Sequence, residues 1–379
     1  MGRTRPKTRK LKRVVTENTS EPPQAPSIPA LLEKAQTLIA QCNYELAERF
    51  VGRILEREPR NAEAKEILGI VQLETGELDS AKQTFESLVP PNPDAPNPPP
   101  ASAYLYLAQL SDEDPQQALQ YYQSAVDLLT GQLKGKERAV DPAGINDDDA
   151  ELKQNIVRAL IAMVEIWMDP EYDLCFDPAV EKNCEDLLNL AQQIDPGNTE
   201  ALQSLASVRM SQQRPEEAKQ ILEQAWVKWK DLELDDARLP SIPTRLGLVK
   251  LFLELELYEP ALLVISGVMA SDDQEVEAWY LEGWCFFMMT EQAREHDGTF
   301  NDVAWEQLAK DSRDCLDTCQ MLHLNQDHPD KPILEHVNEL IAKLEALGIH
   351  ASPEGEDDGD EGGEWEDVEG SDDSDVEMS

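Results

Sequence analysis

Small and apolar residues in the first quarter of the chain return at a fixed interval. Ala47, Val51, Ile54 and Pro59 are followed thirty-four residues later by Ala81, Phe85, Leu88 and Pro93. Four unlike positions repeated at one spacing describe stacked units, each burying an apolar face that it cannot bury alone. Within a unit the pattern predicts two helices. PALLEKAQTLIAQCN is the first of a pair and YELAERFVGRILEREP the second.

The same pairing extends down the chain. After the Pro-rich connection PPNPDAPNPPP, a stiff spacer, a third unit has a shorter first helix, ASAYLYLAQL, and Ala118, Tyr122 and Ala125 in its second. The stretch GQLKGKERAVDPAGINDDD reads as a loop. ELKQNIVRALIAMVEIWM then opens a fourth unit, MDPEYDLCFDP interrupts it, and Cys184, Leu188, Ala191 and Pro196 close it. Leu202, Leu205 and Ala206 with Ala218, Leu222 and Ala225 form a fifth. Leu248, Val249 and Phe252 with Ala261, Ile265 and Val268 form a sixth. A seventh begins at the aromatic run around Trp279, and REHDGTFNDV delays its second helix, AWEQLAKDSRDCLDTCQML. A last amphipathic helix carries Ile333, Leu334, Val337, Leu340, Ile341 and Leu344 on one stripe, enough to cap the open end of a stack.

These positions resemble the tetratricopeptide repeat. Small residues stand at its eighth and twentieth places, a large apolar residue at the twenty-fourth and Pro at the thirty-second: Ala35, Ala47, Val51 and Pro59 in unit one, Gly69, Ala81, Phe85 and Pro93 in unit two. Small residues let helices cross closely and Pro ends the second helix. Trp279, Gly283 and Phe286 hold the Trp, Gly and Tyr places of unit seven, although Glu282 replaces the usual Leu. The fold expected from the resemblance is an all-α, right-handed superhelical solenoid of about seven such hairpins with a C-terminal capping helix. Its bounds are residues 28–350, between a basic arm (1–27) and an acidic tail (351–379).

Charge narrows the partners. Asp and Glu number 76 against 33 Lys and Arg, a formal net charge of −43. Such a charge disfavours direct nucleic-acid binding and anionic membranes and favours a basic partner. Residues 1–13 hold seven bases and no acid, and residues 354–379 fourteen acids and no base; without these ends the middle still stands at −36. The basic run reads as an import signal or a solvated arm. Both flanks have compositions that do not fold alone, and Ser371 and Ser374 are phosphorylation candidates among acids. Six scattered cysteines, with no apolar signal segment ahead of them, read as a reducing compartment.

Catalytic chemistry is sought without result. Gly131, Gly135 and Lys136 have three residues between the glycines where a phosphate-binding loop needs four, and Glu137 takes the hydroxyl place. Asn146 to Glu151 lacks the central Gly and spaced ligands of a calcium loop and reads as a helix start. Cys315, Cys319 and His323 share one helix face, so a metal is weighed against plain packing between helices; packing is preferred because no fourth ligand is evident. The expectation is a non-enzyme with no catalytic or metal residue and no cofactor.

In the tetratricopeptide class the first helix of each hairpin lines the concave face, and its second, fifth, ninth, twelfth and thirteenth places point inward. Carried over, these places imply Glu63, Glu66 and Glu74 in unit two, Glu200 and Met210 in unit five, and Lys250, Leu253 and Glu254 in unit six. Unit seven gives Glu277, Tyr280, Trp284, Phe287 and Met288. Acids beside aromatics suit a client rich in Lys and Arg. The competing reading makes the acids solvated surface and the aromatics core.

Repeat number, basic start, Pro-rich link and the tail sequence GEWEDVEGSDDSD together resemble the fungal family of dedicated assembly chaperones of large-subunit ribosomal protein four. The resemblance implies a chaperone, in nucleus and cytoplasm, that grips the basic internal loop of that ribosomal protein. It would shield the loop during import, with contact to an import receptor, and release it at the pre-ribosome. Release needs no nucleotide, since rRNA competes with denser charge. A histone chaperone is the alternative that charge alone leaves open. An Hsp70 or Hsp90 adaptor is disfavoured, because such adaptors place Lys, Arg and Asn on the inner face.

Overall fold

The computed structural model describes residues 26–139, 147–236 and 238–351. The basic arm before residue 26, the acidic tail after 351, Ser371 and Ser374 lie outside them. The chain divides into two compact units at Asp177 and Pro178, inside the fourth repeat read from the sequence.

The first unit contains α1 (Ile28–Ala40), α2 (Tyr44–Arg57), α3 (Ala62–Glu74), α4 (Leu78–Glu86), α5 (Ala101–Gln109), α6 (Pro115–Ala139) and α7 (Asp147–Met168), then a short 3-10 turn at Asp173–Phe176. Hairpins α1/α2, α3/α4 and α5/α6 follow one another, and α7 packs on α6. Local chemistry sets the ends. The Ser27 and Asn61 side chains accept from the amides of Ala30 and Ala64, capping α1 and α3. After α3, Gly76 adopts φ +79°, and the Gly76 and Glu77 amides donate to the carbonyls of Leu73 and Gln72. That left-handed residue closes the helix end at little steric cost.

The second unit contains α8 (Val180–Ile194), α9 (Thr199–Ser211), α10 (Pro215–Val227), α11 (Ile242–Glu254), α12 (Tyr258–Met269), α13 (Val276–Glu295), α14 (Trp305–Asn325) and α15 (Lys331–Ala346). Pairs α9/α10, α11/α12 and α13/α14 are hairpins, with α8 against α9 and α15 against both α13 and α14. The insert between α13 and α14 forms a two-residue antiparallel ladder, Thr299–Phe300 with Val303–Ala304. Phe300 sets its ring edge against Tyr258 at 5.7 Å.

The repeat positions are the core. Ala35, Ala47, Val51, Ile54, Ala81, Phe85, Ala206, Ala218, Leu222, Ala261 and Ile265 are fully buried. The cap stripe is buried too, at Ile333, Val337, Leu340, Ile341 and Leu344, with Leu334 half-buried. Outward positions Glu335, Asn338 and Glu339 are exposed, as a terminal repeat requires.

One expectation is overturned: Gly131 to Ala139, read as loop, is the last third of α6. Leu129 and Leu133 are buried there, and that burial offsets the roughly 1 kcal/mol cost of each helical glycine. Among the described residues no helix is long and apolar enough to cross a membrane.

Candidate functional site

In the first unit a single helix, α3, carries Glu63, Glu66 and Glu74, and each is bonded to a different neighbouring helix. Glu63 accepts from Gln36 Nε2 at 3.1 Å, which ties α3 to α1. Glu66 accepts from Ser102 Oγ on α5, and Glu74 from the Tyr44 hydroxyl at 3.1 Å. A groove of about 410 Å³ opens between α1 and α3, lined by Gln36, Ile39, Glu63, Glu66, Ile67 and Ile70. Carboxylates thus sit above an apolar floor, the chemistry that accepts a cationic side chain together with its methylene stem.

The face continues onto α5 and α7. Tyr106 stacks on Phe85 with centroids 4.7 Å apart, and burial, followed by Glu66 and Glu74, pushes its phenol above the usual value. A second recess of about 400 Å³ is lined by Ser102, Tyr106, Gln109, Tyr122, Asn155 and Arg158, among others. Sequence reasoning assigned nothing on α1, α5 or α7. Their one available signal was the same inward register, applied to the strings PALLEKAQ and ASAYLYLAQ.

In the second unit the predicted residues have mixed fates. Glu200 accepts from Thr244 Oγ1 at 3.1 Å, Met210 is half-buried, and Glu254 is exposed. Lys250 and Glu277 form an ion pair, which satisfies both from within the chain. Leu253 is buried at 5 % exposure. The aromatics of α13 are not an open surface. The Tyr280 hydroxyl meets His336 Nδ1 of α15 at 2.8 Å, the Trp284 ring stacks on Tyr280, and His336 sets its edge on Trp284 at 5.7 Å. Phe287 is 7 % exposed, with Lys343 Nζ 5.7 Å from its centroid. Assigning Phe287 to an exposed client-binding surface is therefore corrected: α15 covers it. Tyr280, Trp284 and Met288 are half-buried; the first two pack against the core that holds Phe287 and α15, and all three against the α11 to α13 core.

Candidate metal ligands have separate partners. The Cys315 thiol donates to Glu282 Oε2 at 3.4 Å, Cys319 to the Val276 carbonyl at 3.5 Å, and His323 Nε2 lies 2.7 Å from the Asp330 carbonyl. Among the described residues no three metal-binding side chains converge. Burial first, then Glu282, pushes the Cys315 thiol far up, a setting that suppresses the thiolate a nucleophile or ligand requires.

Antiparallel hairpins with a small residue at each crossing define a helical-repeat protein of the tetratricopeptide type. The tetratricopeptide repeat family model matches residues 38–98, and a tetratricopeptide repeat protein from Parabacteroides merdae shares the fold at TM-score 0.50 and 13% identity, over 84% of this chain and 98% of that one. More narrowly, the chain belongs to the family of the Rpl4 assembly chaperones. It is 30% identical to the "Probable assembly chaperone of rpl4" of Emericella nidulans over 370 residues, 92% of this chain and 90% of that protein. It is 31% identical to the protein of the same description in Schizosaccharomyces pombe over 313 residues, 82% of this chain and 88% of that protein. A solved assembly chaperone of RpL4, Acl4 (residues 1–338), superposes at TM-score 0.62 with 28% identity, over 72% of this chain and all of that one.

Proposed function

We propose that this chain is a dedicated chaperone of large-subunit ribosomal protein four, binding and shielding its basic internal loop until delivery to the pre-ribosome. The observation that carries the reading is its 30% identity to an Rpl4 assembly chaperone across 92% of its length. The groove of Glu63 and Glu66 over Ile39, Ile67 and Ile70, with Glu74 further along α3, supports it physically. Off the ribosome an rRNA-binding segment is cationic and unfolded, so a carboxylate-lined groove neutralises it and keeps stray RNA away. Glu200 and Glu254 are further contact residues of this reading.

Release follows by competition. Pre-ribosomal RNA offers denser negative charge than separate carboxylates, so the client transfers without nucleotide hydrolysis. The reading places the chaperone in cytoplasm and nucleus, with an import receptor engaged on the way. It assigns no catalytic step to the chain. The test is affinity capture of the full chain from nuclease-treated extract followed by mass spectrometry. Rpl4 is the expected stoichiometric partner; core histones in its place would overturn the reading.

A further inference from the structure

Arg245, in the first turn of α11, is 4 % exposed. Its Nη1 donates to the Gly267 carbonyl at 3.1 Å, and both Nη atoms reach Ser271 Oγ at 3.3 Å. Among the described residues no carboxylate pairs with it, and its Nε–H has no acceptor. Arg313, buried to a similar degree, shows the contrast: it binds Asp317 at 2.9 Å and Glu345 at 3.2 Å. In a chain with 76 acids, a desolvated guanidinium that keeps none of them is the exception. The carbonyl end of α12 compensates part of that charge; an isolated buried cation ordinarily demands a full counter-charge.

A second orphan donor stands beside it. Trp229 is 6 % exposed and its indole N–H also lacks an acceptor. Both residues line one cavity of about 300 Å³ between the end of α10, the following loop, α11 and α12. Leu234 and Leu263 line it as well, and they are 52 % and 63 % exposed. Two buried donors behind an exposed apolar wall call for an acceptor attached to an apolar group. Asp231 lines the same cavity, so a singly charged carboxylate suits it better than a phosphate dianion. The orphan N–H groups are closed to solvent, so filling the site requires the residues that line it to shift.

We propose that this cavity takes a carboxylate from the chain's own run Glu364–Trp365–Glu366–Asp367–Val368–Glu369. In that run acids flank Trp365 and Val368, matching guanidinium and indole donors to carboxylates and Leu234 and Leu263 to apolar side chains. The twelve residues from 352 to 363 span at most about 40 Å; α15, after which they follow, packs on α13, and α13 packs on α11 and α12. Repulsion from the acidic body is screened beyond about 8 Å at physiological salt, so the local donors decide. This inference is independent of the client.

The test follows the Trp229 indole N–H resonance in the full chain, assigned with Trp229→Phe. Neutralising the run (E364Q, E366Q, D367N, E369Q) is expected to move that resonance upfield, and to move nothing in an Arg245→Met background. The capped peptide Glu-Trp-Glu-Asp-Val-Glu, added to the neutralised chain, is expected to restore it saturably, with affinity about tenfold or more weaker in Arg245→Met. A resonance that ignores neutralisation, or moves equally without Arg245, overturns the proposal. Response to the peptide but not to neutralisation overturns the assignment to the chain's own run and gives the cavity to another protein's acidic segment. Thermal melts of each variant separate loss of the site from loss of the fold.

Discussion

A Cβ placed on Gly69 would stand 2.5–2.9 Å from three carbons of the Phe85 ring. The glycine at the eighth place of the second repeat is therefore the counterpart of the aromatic at its twenty-fourth, and neither can change alone. Gly69→Val should overpack the α3/α4 crossing and cost about 1–3 kcal/mol. Urea unfolding measures this, and pairing Gly69→Val with Phe85→Ala should recover part of the loss, because the clash disappears with the ring.

Charge reversal tests the groove. Glu63→Lys, Glu66→Lys and Glu74→Lys together should weaken Rpl4 binding more than about tenfold at low salt, with a smaller effect as salt rises. Titration calorimetry of the full chain with Rpl4 gives the dissociation constants. Equal affinity for variant and parent would remove the groove from the mechanism.

Glu282 offers a pH test. Burial pushes its carboxyl above its ordinary value of 4.5, with Asp311 adding to the rise and the Cys315 thiol opposing it. A raised folded-state value means that the folded chain binds this proton more tightly than the unfolded one. The contribution of Glu282 to stability is therefore fullest below about 4.5 and declines as pH climbs through the folded-state value. Glu282→Gln should flatten that decline and raise stability near pH 7. Melting temperatures from pH 4 to pH 8 would expose the opposite sign.

The terminal helix is equally testable. Leu344 is fully buried in the cluster that joins α15 to α13 and α14. Leu344→Ala should cost about 2–4 kcal/mol. Faster amide exchange along α15 and a red shift of tryptophan emission, as Trp284 loses its His336 neighbour, would report the loosening. Unchanged exchange would mean that α15 is held elsewhere.

Most of the fold was legible because each hairpin restates one packing problem. Ala47, Val51 and Ile54 repeat as Ala81, Phe85 and Leu88 because the same crossing recurs, and all six are buried. The end of α6 was not legible, since Gly131 and Gly135 among charges carry a loop signature, whereas burial of Leu133 is a long-range fact. The acids of α3 were read from register alone, and on that helix they bond to α1, α5 and α2. The aromatics of α13 were misjudged for the same reason: a register tells which way a residue points, not what the next helix lays over it. Arg245 escaped notice because nothing in SIPTRLGL marks a cation as buried and unpaired.

By seating His336 on Tyr280 and Trp284 and showing Glu335, Asn338 and Glu339 to water, α15 occupies the berth an eighth hairpin would need. Stacking of a further hairpin on that apolar end would require α15 to leave its place on α13 and α14.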